Sequence, residues 1–384
     1  MTIAMRRGEF PASYDKAKGI DLQMNDDYPP FNYAINDELL PHWKEFANAL
    51  KQFTPAINLL PDNCESFFSF YCVQLNLDAM LLIKEALIGK SFRKFSFTNN
   101  DNGDGARGGM SVDAILDIVE SNKHLRKLDI RKNQIGREYI PRLCSTVRNY
   151  PLVELEIFDS CAPGIGDQML TALLTGGDLK LERLDMSHNN ITSLGITILS
   201  DYLATNPALK YLFLASNEFN DSDAELIANA LRTNMTLRYI NLEGNINMNY
   251  DGAGAKAFRL VLCDESSLNA AAGSNHKCFC VLCDYSNRHE QRQINRASKI
   301  YRLLSSRNRM LSNVNHFDDI DVKMLPNMLE AVGKYHDAVR EYNENAYPPF
   351  SYVDPISIMY EIMRKWDKAF PLYKALGVES IETS

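Results

Sequence analysis

One spacing recurs through the middle of the chain: apolar residues at offsets 0, 3 and 5, then asparagine at offset 8. Leu125, Leu128, Ile130 and Asn133 fill it first. Leu181, Leu184, Met186 and Asn189 fill it again, followed by Leu209, Leu212, Leu214 and Asn217, and by Leu237, Ile240, Leu242 and Asn245. The period is about 28 residues. Offsets 3 and 5 alternate as one face of a short strand does. The asparagine falls where the chain must leave that strand. Its amide both donates and accepts, so stacked asparagines can satisfy turn backbone groups shut off from water.

A helical half follows each asparagine. After Ile191, residues Leu194, Ile198, Leu199 and Tyr202 fall at helical spacing; one period on, Ala224, Ile227, Ala228 and Leu231 do the same. A strand and a helix in so few residues cannot bury their own apolar edges, and stacked copies make one continuous core. The spacing predicts an α/β solenoid with parallel inner strands and outer helices. Variant copies extend it. Phe92, Phe95, Phe97 and Asn100 form one, Ser66 to Phe70 a degenerate first one, and Leu152, Leu155 and Ile157 one whose ninth position is Ser160. Leu268 and Ala271 are assigned to a damaged last copy.

These residues resemble the ribonuclease-inhibitor-like class of leucine-rich repeats. The resemblance implies a horseshoe, strands on the concave side and helices outside. The segment S-L-N-A-A-A-G-S-N-H from Ser267 and the tail I-M-Y-E-I-M-R-K-W are similar to segments of uncharacterised repeat families of single-celled algae. Ran GTPase-activating proteins also resemble this class, which makes GTPase regulation the alternative function. Those proteins carry a strongly acidic tail that this chain lacks, and no catalytic residue can be matched to a position here.

Residues 1–37, broken by Gly8, Pro11, Gly19, Pro29 and Pro30, read as a partly irregular N-terminal arm. Residues 38–267 read as the solenoid, opened by an amphipathic helix from Leu39 to Phe53. Residues 268–384 read as a degenerate last repeat and a helical cap, with helices at Asn287–Leu311, Lys323–Tyr335 and Ile356–Trp366.

The formal net charge is −8, from 41 basic and 49 acidic residues, which argues against indiscriminate phosphate binding; no nucleic-acid partner is expected. No apolar run is long enough to span a membrane, and the N-terminus lacks a signal-peptide core. The eight cysteines have no disulfide-framework spacing. A reduced, cytoplasmic protein is the expectation, with the nucleus left open and a monomer favoured.

Four features bear on chemistry. Strand residues between the core positions point away from the core. Among them Phe158, Arg183, Asp185, Tyr211, Phe213, Tyr239, Asn241 and Glu243 form the candidate partner-binding face, because aromatics set among charges have the composition of a hot spot. His276, Cys278, Cys280 and Cys283 approach a zinc set, but the spacing is irregular, and Cys278 and Cys280 also alternate as core residues of a strand would. No metal site is assigned. Asn100, Asn102, Asp104 and Gly105 match half a calcium loop, yet Ser111 stands where a bidentate glutamate belongs. The basic run Arg288, Arg292, Arg296, Lys299, Arg302, Arg307 and Arg309 reads as the solvated face of a capping helix. No phosphate loop, metalloprotease motif or nucleophile elbow occurs. The chain is expected to be a non-enzymatic scaffold for a protein partner, without cofactor.

Overall fold

A computed structural model describes residues 19–23, 40–52, 66–71, 77–98, 112–249, 251–282 and 322–333, together with residues 296, 299, 300 and 303. The calcium-like loop, Cys283 and the helix from Ile356 lie outside the described residues, as does most of the basic helix from Asn287. Among the described residues, nine strands form one parallel sheet in sequence order. They are β1 (Gly19–Gln23), β2 (Phe67–Tyr71), β3 (Lys94–Thr98), β4 (Lys127–Arg131), β5 (Glu154–Phe158), β6 (Arg183–Asp185), β7 (Tyr211–Phe213), β8 (Tyr239–Asn241) and β9 (Phe279–Val281). Between these strands run the helices α1 (Leu40–Gln52), α2 (Leu77–Leu87), α3 (Val112–Ser121), α4 (Ile140–Asn149), α5 (Gly166–Thr175), α6 (Ile196–Ala204), α7 (Asp221–Leu231), α8 (Ala253–Leu262) and α9 (Leu268–Gly273). From α1 to α8, consecutive helices pack on one another as consecutive strands do. Each parallel crossover thus carries a helix that covers the same face of the sheet.

Register makes the core. Phe68, Phe95, Leu128, Leu155, Leu184, Leu212, Ile240 and Cys280 stand in one row across β2 to β9. All are buried within one continuous apolar cluster. Phenylalanine replaces leucine in the first copies without opening the row, because the rings pack edge-on; Phe68 and Phe92 are 4.9 Å apart and T-shaped.

The asparagine positions form a buried ladder. Asn217 Oδ1 accepts from the N–H groups of Asn189 and Ile191, both at 3.0 Å, and its Nδ2 donates to the carbonyls of Met186 and Leu214, both at 3.1 Å. Asn189 repeats this one turn earlier, accepting from Ser160 and Cys161 and donating to Ile157. Ser160 fills its rung with one hydroxyl, which donates to the Ile130 carbonyl at 2.9 Å and accepts from the Asn133 N–H at 3.4 Å. Just before each rung the backbone turns left-handed, at Lys132, Asp159, His188, Ser216 and Gly244. Only the last is a residue without a Cβ penalty there.

Three features depart from the sequence expectation. Leu194 is exposed, not on the buried helix face, because Ser193–Gly195 form a 3₁₀ turn and α6 starts only at Ile196. Gly195 is buried in its place, where a Cβ would stand 3.1 Å from Leu170 Cδ2. The last copy is not built on Leu268 and Ala271 as a strand; those residues lie in α9, and the strand is β9. The sheet also reaches into the expected N-terminal arm, where β1 lies; β9 falls within the range assigned to the last repeat.

The end of the array adds a fourth, at Lys299. A second set of asparagines precedes the strands. Asn122 donates to the Phe92 carbonyl, Asn234 to Leu203, and Asn275 to both Leu231 and Asn234. After Asn275 the next donor is Lys299. Its Nζ donates to the carbonyls of Leu262 and Asn275, and the residue is buried. Lys299 thus stands where the amide of a further repeat would stand. It is not a member of a solvated basic face. Its charge also meets the carbonyl end of α8, where a cation is favoured. Ile300 and Leu303 beside it are buried as well.

Candidate functional site

The sheet face opposite the helices carries two chemically different halves. Over β3 to β6 it is an ion-pair lattice. Arg131 donates to Asp129 at 2.7 Å and to Glu156 at 2.5 Å. Arg183 Nε donates to the other oxygen of Glu156 at 3.0 Å. Ser96 Oγ donates to the second oxygen of Asp129 at 3.1 Å, and Lys127 pairs with Glu154 at 3.1 Å. At Arg131, burial opposes the charge, but its hydrogen bond to Asp129 and the nearby Asp129 and Glu156 carboxylates hold its pKa above the ordinary value. Lys94, Lys127, Glu154, Arg183 and Tyr211 help line a depression of about 370 Å³ over this half.

Over β6 to β9 the face is an aromatic stack. The Arg183 guanidinium lies 4.0 Å from the Phe213 ring centroid. Phe213 and Tyr239 are 5.1 Å apart, Tyr239 and Phe279 5.7 Å. Tyr211 is level with Tyr239 in register and 38% exposed, one of the most open large side chains of the sheet. Phe158 belongs to a separate small cluster, with its ring 4.6 Å from His188 and Arg131 5.7 Å above it.

The eight candidate residues therefore divide. Arg183, Tyr211, Phe213 and Tyr239 come together. Phe158 sits apart with His188. Asp185 is buried, and its Oδ1 accepts from the Ser187 N–H at 2.9 Å; burial pushes its carboxyl pKa up. Asn241 does the same at the end of β8, accepting from the Glu243 N–H at 2.9 Å. Both side chains brace the strand ends, which is where a short polar group beside a freed N–H is held. Glu243 lies half-buried at the rim of β8.

Phe279 completes the stack and escapes the sequence reading, because Leu268 and Ala271 imitate the opening of a last copy. A signal does exist: Asn275 precedes Cys278 by the interval that separates Asn234 from Leu237. Near it, Cys278 and Cys280 pack toward the core as strand residues. Burial pushes the Cys278 thiol up to about 12, the pKa of an inert thiol. His276 is held by the Ala272 carbonyl at 3.0 Å. No group of three His, Cys, Asp or Glu side chains suited to a metal occurs among the described residues.

The Leucine Rich repeat family model matches residues 121–138 and 178–199. These are leucine-rich repeats. The first match runs from the end of α3 through β4 and its asparagine rung, the second across β6 and into α6. The chain folds as an α/β leucine-rich-repeat solenoid. Leucine-rich repeats generally mediate protein–protein contacts, and no described helix is long and apolar enough to cross a membrane.

Proposed function

We propose that this leucine-rich-repeat chain is a non-enzymatic scaffold that grips a protein partner on the open face of its sheet. The observation that carries this is the stack of Arg183, Phe213, Tyr239 and Phe279, with Tyr211 alongside, held on the solvent side of a rigid sheet. Aromatic and arginine side chains pre-fixed by neighbours lose little entropy on binding and supply most hot-spot energy. The core rows beneath do not depend on these rings.

Affinity capture from the native cell, with wild type beside a Tyr211→Ala, Phe213→Ala, Tyr239→Ala triple variant, tests the proposal. The triple variant should melt as wild type does and lose specific partners. Equal recovery of the same partners by both proteins would place the binding surface elsewhere.

A further inference from the structure

From the hydrogen-bonding capacity left unused on this face we infer the chemistry of the partner: an extended acidic peptide segment with an aromatic or aliphatic anchor to one side of the acidic residues. The inference rests on the open-face reading above and adds to it.

Charge on the face is layered. In the lattice over β4 to β6 the carboxylates lie deep and the guanidiniums lie above them. The Asp129 side chain is 9% exposed against 36% for Arg131, and Glu156 is 17% exposed against 28% for Arg183. Both oxygens of Asp129 and both of Glu156 are already engaged. Beyond the second oxygen of Glu154, whose first pairs with Lys127, the spare capacity is on donors. Arg183 uses Nε alone, so among the described residues its Nη edge has no hydrogen-bond partner. Lys94, at the far side of the same depression, makes no ion pair among the described residues. A chain of net charge −8 therefore presents unused cationic donors on this face.

Arg183 is also pre-positioned. Glu156 holds one side of its guanidinium and the Phe213 ring supports its plane, so the outer edge is fixed before any ligand arrives. A planar fork held in this way fits a carboxylate through two parallel hydrogen bonds. Next to it, over β7 to β9, Tyr211, Tyr239 and Phe279 offer ring surface and no charge.

The spacing sets the segment. Parallel strands lie about 4.8 Å apart, so Lys94 on β3 to Phe279 on β9 spans about 29 Å, or about nine extended residues. Acidic side chains would lie over β3 to β6 and the apolar anchor over β7 to β9. Nucleic acid suits this face less well. Carboxylates back each arginine, and a run of phosphates would meet them along its whole length.

A random ten-residue peptide library displayed on phage, selected on the full chain, is the test. Each binder is then re-assayed by fluorescence anisotropy on the triple alanine variant. Binders lost on that variant are expected to carry Asp or Glu several residues away from an aromatic or aliphatic residue. Their affinity should fall at least about tenfold with Arg183→Gln, fall further with Lys94→Gln added, and weaken as salt rises. Lys256→Gln on α8 should leave them unchanged. Face-dependent binders that are basic or uncharged would overturn the acidic assignment and leave the open-face proposal standing. Preferential binding of a single-stranded oligonucleotide, or self-association abolished by Arg183→Gln in sedimentation, would overturn it in favour of those occupants. Absence of any binder sensitive to the triple variant would overturn both.

Discussion

Replacing Asn217 with alanine removes one rung of the ladder, and the structure sets the expected cost. The Asn189 and Ile191 N–H groups lose their acceptor, and the Met186 carbonyl loses a donor. The Leu214 carbonyl keeps the amide of Asn245 at 3.0 Å. Three buried groups are left short, and at about 1 kcal/mol or more for each the loss is about 3 kcal/mol. Serine at the same position is an internal control, because Ser160 already fills a rung. A hydroxyl can keep the bond to the Met186 carbonyl and accept one N–H, so Asn217→Ser should cost about half as much. Equilibrium unfolding in urea, followed by circular dichroism, reads both values. A cost below about 0.5 kcal/mol for alanine, or serine no better than alanine, would refute the ladder as a source of stability.

The other predictions concern the core, the array end and the outer face. Leu212→Ala, at a fully buried position, should cost about 2–5 kcal/mol in the same melts. Lys299→Met should speed hydrogen exchange of the Asn275 to Val281 amides and leave those of α5 unchanged, since it removes the donor to the Leu262 and Asn275 carbonyls at the end of the array. Unchanged exchange there would deny Lys299 its capping role. On the helical side, Arg142 pairs with Asp113 at 2.8 Å, Asp117 at 2.6 Å and Glu120 at 2.7 Å. The Arg142 hydrogen bond holds Glu120 below its ordinary pKa; at Asp117 burial is outweighed by hydrogen bonds from Arg142 and Lys84. A depressed carboxylate pKa contributes stability above the ordinary value and loses it as pH falls through the depressed one. Arg142→Ala should therefore cost about 1 kcal/mol near neutral pH, with the difference from wild type fading in acid.

The periodic stretch of the chain is legible because strand spacing, helix spacing and the asparagine position all state one geometry. The rows from Leu128 to Ile240 and the buried helix faces of α7 and α3 follow from it directly. What escapes has no period. Leu194 is apolar yet exposed because a 3₁₀ turn rotates it off the helix face. The last repeat escapes because Cys278 and Cys280 stand where leucine does elsewhere, and because α9 is an extra helix inside the repeat. Lys299 reads like its arginine neighbours, since nothing local marks one cation of a basic run as buried. On the open face the sequence places residues in columns. Which arginine lies on which ring, and which donor edge stays unused, depends on side-chain conformations that spacing does not encode.

The central claim is that the Arg183, Phe213 and Tyr239 stack is an energetic anchor for a protein partner. Titration calorimetry of a captured partner against wild type and against each single alanine variant of Tyr211, Phe213 and Tyr239 tests it most directly. At least one substitution should weaken Kd by about thirtyfold, equivalent to about 2 kcal/mol, with the thermal midpoint unchanged. A Kd the same within error for all three variants would contradict it.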